Sequence, residues 1–294
     1  MSTYSRGLLH TRRATRRASA RVVDRRRTGN SRKIGTTTAR EVRARASWDA
    51  RRFAKTFFDF NPPPNIGPLR PMLRAAGLFE DDSAHSTTAT TTTTSASSAQ
   101  EDGNVVLLGA GALDRVKWAS LDDVVMGGVS ESKLDVNLEN GNARFRGFVS
   151  EANNGGFASV RSRNAEPPID LSQSSGIEIV IGAKAGGGDA SELPLRFKLL
   201  VRSDTYWDGY AWSKSFDAKP GGTVRLAWND FICVRRAMTI TDAATLEKNK
   251  LDIARIASFQ LMLSKFEYDS KLNPNFSSGP FEIDVQAIRS WKQQ

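Results

Sequence analysis

Residues 195–202, Leu-Arg-Phe-Lys-Leu-Leu-Val-Arg, decide the fold class. Every second side chain of this stretch is apolar, which is the period of a β-strand with one face in a hydrophobic core. The apolar positions are Leu195, Phe197, Leu199 and Val201. The opposite face of the strand carries the basic side chains of Arg196, Lys198 and Arg202. A row of charges on the free face of a strand predicts contact with solvent.

The same alternation recurs along the C-terminal part of the chain. It is found at residues 134–138, 177–181, 224–228, 259–263 and 281–287. Turn-forming groups such as Asn140-Gly141 and Pro220-Gly221-Gly222 separate these runs. One segment, 241–256, has helical character, although a loop fits it as well. Many short strands with few helices predict an all-β fold, a β-sandwich of the jelly-roll type.

The scarcity of cysteine and histidine excludes several classes of protein. The 294 residues include one cysteine, Cys233, and two histidines, His10 and His85. An intrachain disulfide and a cysteine-based zinc cluster are therefore impossible. Both histidines lie in segments that look unstructured, so we expect no histidine triad and no histidine metal site. A run of about 18 apolar residues is also missing, which argues against a membrane span.

Residues 105–115, Val-Val-Leu-Leu-Gly-Ala-Gly-Ala-Leu-Asp-Arg, imitate the glycine-rich turn of dinucleotide-binding proteins. Asp114 stands where the third glycine belongs, and no alternating helices follow. We interpret this segment as a first strand that ends in a glycine turn. Residues 186–189, Gly-Gly-Gly-Asp, likewise lack the Lys-Ser/Thr pair of a phosphate-binding loop. We therefore expect no cofactor.

The net charge of +10 is concentrated at the N-terminus. Residues 1–55 hold 17 Lys and Arg against three acids, so the rest of the chain is mildly acidic. A leader that is rich in Arg, Ser and Thr and poor in acids is typical of an organellar transit peptide, and we predict a disordered one at residues 1–46. The alternative is a basic arm for nucleic acid. Because the leader has no aromatic residues interleaved with its arginines to stack on bases, we expect no nucleic-acid partner.

Residues 47–61 are predicted to form a short amphipathic helix that ends before a run of prolines. Its side chains separate into an aromatic arc and a basic arc. These are Phe53 and Phe57 on the first arc, and Arg51, Arg52 and Lys55 on the second. Such a helix suits a protein partner or peripheral contact with anionic lipid. The alternative is that it packs on its own domain.

Residues 62–103 are predicted to be a linker, which is rich in proline at first and then in serine and threonine. The run Ser-Ala-His-Ser-Thr-Thr-Ala-Thr-Thr-Thr-Thr-Thr-Ser-Ala-Ser-Ser-Ala-Gln at 83–100 has too little apolar content to form a packed core. The folded domain is therefore expected to occupy residues 104–294.

An aromatic run, Asp-Thr-Tyr-Trp-Asp-Gly-Tyr-Ala-Trp at 204–212, is a candidate binding surface. If exposed, Tyr206, Trp207 and Tyr210 would form a platform for stacking on sugars or a hot spot for a protein partner. If buried, the aromatic residues would only pack the core or a hairpin, and we favour that interpretation for Trp212.

The most unusual stretch is Trp-Ala-Ser-Leu-Asp-Asp-Val-Val-Met-Gly-Gly-Val-Ser-Glu-Ser at 118–132. Neighbouring residues of an extended chain point to opposite faces, so Asp122 and Asp123 cannot flank one bond as a glycosidase pair does. We predict no catalytic residue. The two acids are expected to hold the loop by hydrogen bonds. The alternative is Ca²⁺ ligation, although one acidic pair falls far short of the roughly six to eight oxygens that this ion needs.

This stretch, with a second block at 145–163, resembles the hallmark of the complex I intermediate-associated protein 30 family. The resemblance implies an interaction site at the matching positions. They are Trp118, Asp122, Asp123, Met126, Gly127, Gly128, Ser130, Asn153, Asn154, Gly155, Gly156, Phe157 and Arg161. The resemblance covers about residues 104–292 and departs from the family pattern in the loops at 182–197 and 232–240.

The resemblance implies a galactose-binding-like β-sandwich, which agrees with the alternating pattern. It also implies a non-enzymatic assembly factor, a chaperone for unassembled subunits of an organellar membrane redox complex. The client would be of the NADH dehydrogenase (complex I) or photosynthetic type, with other assembly factors as further partners. The alternative function is a carbohydrate-binding module. An NADP-dependent reductase is disfavoured, because the Rossmann-fused members of the family carry a separate nucleotide domain.

Residues 48–64, Trp-Asp-Ala-Arg-Arg-Phe-Ala-Lys-Thr-Phe-Phe-Asp-Phe-Asn-Pro-Pro-Pro, bear on the organelle. They resemble the segment that precedes this domain in plastid and cyanobacterial members of the family. This resemblance favours the chloroplast, with the mitochondrion as the alternative.

Overall fold

The computed structural model describes residues 51–52, 54–56, 104–113, 116–137, 139–187, 194–206 and 208–293. The predicted transit peptide at 1–46 and the predicted linker at 62–103 lie outside these residues. The described part of the chain folds mainly into strands, which are numbered here in chain order.

One sheet has six strands. They are β1 Val106–Gly109, β3 Glu131–Val136, β4 Ala143–Val149, β6 Gly176–Gly187, β9 Thr223–Ala227 and β13 Gly279–Trp291. Their order is β3-β4-β13-β6-β9, and β1 pairs with β13 as well. The long strand β13 pairs with β6 along one edge, and with β4 and then β1 along the other. The predicted first strand, β1, thus pairs with the C-terminal part of β13 and then ends at a glycine turn.

The other sheet has seven strands. They are β2 Trp118–Ser120, β5 Phe157–Ser162, β7 Arg196–Arg202, β8 Ala211–Asp217, β10 Ile232–Arg235, β11 Met238–Thr239 and β12 Ser258–Ser264. Their order is β11-β10-β8-β7-β12-β5-β2, and all pairings in both sheets are antiparallel.

The helical elements are short. Among the described residues, 3-10 turns span Asp123–Met126, Ala152–Asn154 and Trp228–Asp230, and an α-helix, α1, spans Ala243–Lys248. The segment 241–256 is thus helical over six residues, beginning where the Asp242 carboxylate accepts the Thr245 N–H at 2.8 Å. Residues 51, 52 and 54–56 are also helical, and we call them the pre-domain helix. Within the described residues, no helix is long and apolar enough to span a membrane.

The alternating apolar residues of both sheets meet in one core. Phe145, Phe197 and Phe259 are fully buried there, and the ring of Phe145 lies edge-on to that of Phe281 with their centroids 4.9 Å apart. Two antiparallel sheets enclosing such a core confirm the predicted all-β jelly-roll sandwich.

The basic row of β7 departs from the prediction. Lys198 and Arg202 are only 6% and 8% exposed, so the expectation that these side chains face solvent is wrong. The Lys198 Nζ donates hydrogen bonds to the backbone carbonyls of Phe266 and Glu267, both at 2.8 Å. The loop after β12 therefore folds over the outer face of the sheet and supplies acceptors that no strand periodicity reveals.

Candidate functional site

The two adjacent acids lie in the connection between the sheets. Residues 121–130, which we call the double-aspartate loop, lead from β2 of the seven-stranded sheet to β3 of the six-stranded sheet. The 3-10 turn Asp123–Met126 ends at Gly127, whose φ of 90° is a left-handed value that favours glycine. Asp122 and Asp123 stand at the start of this turn and are 2% and 0% exposed.

Asp123 is the centre of a group of four hydrogen bonds. Its Oδ1 accepts the Ser130 N–H at 2.9 Å, and its Oδ2 accepts the Ser130 hydroxyl at 2.6 Å. The same Oδ2 accepts the backbone N–H groups of Gly156 at 2.7 Å and Phe157 at 3.2 Å. One side chain thereby ties the double-aspartate loop to the beginning of β5.

Asp122 makes an equivalent set of contacts further along β5. Its carboxylate accepts the Ser132 N–H at 2.9 Å, the Ser132 hydroxyl at 2.5 Å and the Ser159 N–H at 2.9 Å. Burial raises the pKa of Asp122 to about 6, although these hydrogen bonds and the Arg52 charge pull it down. The carboxylate is therefore held in a site that is costly for its charge.

These contacts replace a missing stretch of strand. β2 pairs with β5 at residues 160–162 only, and the Leu121 N–H continues the pairing to the Ser159 carbonyl at 2.8 Å. Beyond that point the amide groups of Ser159, Phe157 and Gly156 donate to the two carboxylates instead. Buried backbone N–H groups need acceptors, so Asp122 and Asp123 complete the edge of β5.

The Asp123 carboxylate lies so close to the backbone at Gly128 and Gly155 that only glycine fits at these positions. A Cβ at Gly128 would lie 2.3 Å from the Cγ of Asp123, and one at Gly155 would lie 2.5 Å from its Oδ2. Both distances are shorter than any contact between such atoms. Glycine at these two positions therefore makes room for the Asp123 carboxylate.

The other motif residues have different surroundings. Asn153 and Asn154 adopt left-handed φ values of 56° and 59°, and the Asn153 side-chain amide donates to the Gly127 carbonyl at 3.3 Å. The indole N–H of Trp118 donates to the Leu107 carbonyl at 3.4 Å. Met126, by contrast, is 71% exposed at the tip of the double-aspartate loop. The loop thus combines a rigid buried base with an apolar side chain in solvent.

The pre-domain helix reaches this same loop. The Arg52 Nη2 donates to the Ser130 carbonyl at 2.8 Å and lies 3.6 Å from the Asp122 Oδ2. Thr56 is buried, whereas Arg51 and Lys55 are exposed. Phe53 and Phe57 of the predicted aromatic arc lie outside the described residues. Arg52 of the predicted basic arc is therefore engaged with the domain that follows it.

Comparison with known families identifies the motif. A family model described as Complex I intermediate-associated protein 30 (CIA30) matches residues 110–285, which is more than half of the chain. The chain belongs to this family. The matched residues contain the double-aspartate loop, β5 and most of both sheets, so the family domain and the sandwich coincide.

Two solved structures share a distant likeness with the CIA30 chain. One is described as the structure of PfGH50B, with 10% identity and a TM-score of 0.33, covering 61% of this chain and 22% of its own. The other is described as the crystal structure of an agarase, AgWH50C, with 12% identity and a TM-score of 0.32, covering 56% of this chain and 24% of its own. The CIA30 chain thus spans under a quarter of either protein. Among curated proteins, none matches its sequence significantly.

A polar relay extends from the double-aspartate loop across the CIA30 sandwich. The Ser159 hydroxyl accepts the Gln260 side-chain N–H at 2.9 Å, and the Gln260 carbonyl oxygen accepts the Arg202 Nη1 at 3.1 Å. Arg161, which is 2% exposed, lies opposite Gln260 on the neighbouring strand. Burial lowers the pKa of Arg161 to about 10, and it lowers the pKa of Arg202 as well.

Sequence reasoning missed most of this relay. Ser132, Gln260 and Arg202 were not candidates, because polar residues at alternating strand positions normally indicate a solvated face. A weak signal existed at Ser159, which lies inside the second family block at 145–163. Only the pairing of β5 with β12 and of β12 with β7 brings these residues together.

The aromatic residues of the predicted platform at 204–212 have different surroundings in the CIA30 fold. Tyr206 is 75% exposed, while Tyr210 is half-buried with the Arg235 guanidinium 5.3 Å from its ring centroid. Trp207 lies outside the described residues. Trp212 packs against the core and donates its indole N–H to the Asn249 carbonyl at 3.1 Å.

A cleft of about 310 Å³ opens near β8 and β10, where Tyr268 and Ile232 form part of its wall. Its Arg196 is already paired with Asp217 at 2.6 Å and with Glu267 at 3.2 Å. The cleft has the size of a small-ligand site. Its charged groups, however, bind one another. The described residues contain no group of three or more His, Cys, Asp or Glu side chains that could hold a metal ion.

Proposed function

We propose that this CIA30 protein is a non-enzymatic assembly factor that binds unassembled subunits of an organellar membrane redox complex. The observation that carries the proposal is the family match over residues 110–285, since the name of the family refers to an intermediate of complex I. Client subunits of the NADH dehydrogenase type or of a photosynthetic complex, together with other assembly factors, are the partners that fit this role.

The geometry of the two acids supports a binding role over catalysis. A general acid or base must reach its substrate, and its oxygen atoms must be free to exchange a proton. Asp122 and Asp123 are buried, and their oxygens already accept N–H and O–H groups of the protein. They stiffen a loop whose exposed tip, Met126, is available for contact with another protein.

The organelle and the membrane contact are further parts of the proposal. The basic leader supports import, and the resemblance of residues 48–64 to plastid members favours the chloroplast, with the mitochondrion as the alternative. Peripheral contact with a membrane or a partner would involve the basic arc of the pre-domain helix, whose Arg51 and Lys55 are exposed.

The proposal is tested by removing the protein from cells and measuring the abundance of each organellar redox complex on native gels. One complex should fall strongly and an assembly intermediate should accumulate. Normal abundance of every complex would contradict the proposal. Imaging a C-terminal fluorescent fusion identifies the organelle.

The binding surface is tested in the same cells by rescue with two matched variants. Met126→Asp places a charge at the exposed tip of the double-aspartate loop, and Met238→Asp does the same at a methionine that is 53% exposed on β11. We expect Met126→Asp to rescue poorly and Met238→Asp to rescue fully. Equal rescue by both variants would mean that the tip of the double-aspartate loop is not part of the interaction site.

A carbohydrate-binding module is the second candidate function, and the exposure of Tyr206 favours it. Binding on a glycan array that is lost in both Tyr206→Ala and Trp207→Ala would support this function. An array with no bound glycan would argue against it.

A further inference from the structure

Two acceptor groups of the double-aspartate loop meet beside the pre-domain helix. The backbone carbonyl of Ser130 accepts the Arg52 Nη2 at 2.8 Å, and the Asp122 Oδ2 lies 3.6 Å from the same nitrogen. We call this pair of acceptors the guanidinium corner. Both acceptors lie inside the family match at 110–285, whereas Arg52 lies far outside it. The domain therefore contains the receptor, and a separate segment supplies the cation.

The chemistry of the corner selects a guanidinium group. Arginine carries a planar fork of N–H donors and keeps its charge at every physiological pH, so it suits a carbonyl that stands next to a carboxylate. The Asp122 side chain is 3% exposed, and its three hydrogen bonds come from uncharged donors. A buried negative charge of this kind gains from an opposite charge at the rim.

We propose that the guanidinium corner is an arginine-binding site of the CIA30 domain. Arg52 fills it within the chain, and an arginine on a segment of a protein partner competes for it when the pre-domain helix leaves. The site takes an arginine-bearing peptide as its class of ligand. This inference does not depend on which complex the protein helps to build, because the site can be tested with a peptide alone.

The contact of Arg52 has the properties of a replaceable occupant. Its side chain remains 33% exposed, so solvent and competing donors reach the site. An ion pair at a surface contributes little by itself. Attachment through the same chain, however, gives Arg52 an effective concentration of roughly millimolar. A partner must therefore add contacts of its own, for which the exposed Met126 on the same loop is available.

The test uses the full chain with two changes, Arg52→Ala to remove the internal arginine and Ala54→Pro to break the pre-domain helix. Both changes lie outside the matched residues 110–285. The probe is a fluorescent peptide of residues 47–61, and its binding is measured by anisotropy. We expect this peptide to bind the double variant at least tenfold more tightly than the unaltered chain, in which Arg52 occupies the corner.

Two altered peptides identify the group that binds. The Arg52→Ala peptide should bind the double variant about tenfold more weakly, as expected for the loss of a charge-assisted hydrogen bond. The matched Arg52→Lys peptide keeps the positive charge without the planar fork of donors, and it should bind more tightly than the Arg52→Ala peptide. Binding of the Arg52→Ala peptide as tight as that of the original, or no binding of the original peptide at millimolar concentration, would overturn the proposal.

A measurement within the chain provides a second test. Hydrogen exchange of the backbone amides at 51–56 should become about tenfold faster in the Arg52→Ala chain than in the unaltered chain. Equal exchange in the two chains would mean that Arg52 does not hold the helix at the corner, and the proposal would fail.

Discussion

The double-aspartate loop and the outer face of β7 both bury charge, but they satisfy it by different means. Asp122 and Asp123 receive their hydrogen bonds from backbone amides and serine hydroxyls that lie 7 to 37 residues away in the chain. Lys198 depends on two carbonyls of a loop 68 and 69 residues away, and Arg202 on a single amide oxygen of Gln260. The acids complete a strand edge, whereas Lys198 is covered by a distant loop and Arg202 is bonded by a side chain of the neighbouring strand β12.

This difference shows why acids and bases behave unequally here. Backbone N–H groups are already fixed by the strand, so a short carboxylate meets them at little cost in conformational entropy. A long basic side chain loses more freedom and needs carbonyls that another segment must bring. Burial disfavours the charged form of both kinds of side chain, and the pKa values show it. The pKa of Asp122 rises to about 6, and that of Lys198 falls to about 8.

The largest effect is expected from Asp123→Ala. The change leaves the Ser130, Gly156 and Phe157 amides without their acceptor in a buried site. Each such group costs about 1–3 kcal/mol, so the free energy of unfolding should fall by about 5 kcal/mol. Urea denaturation followed by tryptophan fluorescence measures it. The matched change Asp135→Ala, at a partly exposed acid on β3, should cost under about 1 kcal/mol, and similar losses for both would refute the role of Asp123.

The next largest effect is a pH dependence at Asp122. Because its pKa rises from the usual 3.8 to about 6, the folded protein binds a proton more readily than the unfolded chain between these values. This group therefore makes the free energy of unfolding fall as the pH rises through that window, by about 3 kcal/mol in total. Above the window the contribution is constant.

Asp122→Asn isolates this dependence, because asparagine does not titrate. The difference in the free energy of unfolding between the original protein and the variant should be about 2.4 kcal/mol larger at pH 4 than at pH 7. The other carboxylates are common to both proteins and cancel in the difference. A difference that stays constant with pH would show that Asp122 is not the titrating group.

A smaller effect is expected from Gly128→Ala. The added Cβ would meet the Asp123 Cγ at 2.3 Å, so the loop must shift, at a cost of about 2 kcal/mol. Gly186→Ala is the control, since its Cβ would meet nothing within 4 Å, and it should change stability by less than about 0.5 kcal/mol. Thermal melts of both variants measure the contrast. Equal melting temperatures would refute the close approach.

The smallest effect is expected from Lys198→Met on the basic face. The change removes two hydrogen bonds but also a costly buried charge, so the free energy of unfolding at pH 7 should fall by about 1 kcal/mol.

The lowered pKa of Lys198 means that the original protein gains stability as the pH rises from about 8 to the usual 10.5. The variant should lose this gain, whereas Lys214→Met, at a partly exposed lysine, should keep it. Persistence of the gain in Lys198→Met would assign it to another group.

Much of the fold could be predicted because strand periodicity is a local property. The alternation at 195–202 gave β7, and the run at 281–287 lies within β13. The predicted helical segment, 241–256, is longer than the observed helix of six residues, because the turns that follow it bond to other segments. The interpretation of Asp122 and Asp123 as hydrogen-bonding residues came from a sequence argument, yet the identity of their partners did not.

The sequence by itself determined the all-β class, the family and the position of the two acids, since each is written in spacing and residue type. Only the tertiary structure decided that Lys198 and Arg202 are buried, that Ser159 and Gln260 link Asp122 to Arg202, and that Arg52 reaches the Ser130 carbonyl. These contacts join residues far apart in the chain. Their partners are set by which strands pair and which loops fold back, and local periodicity carries no record of that choice.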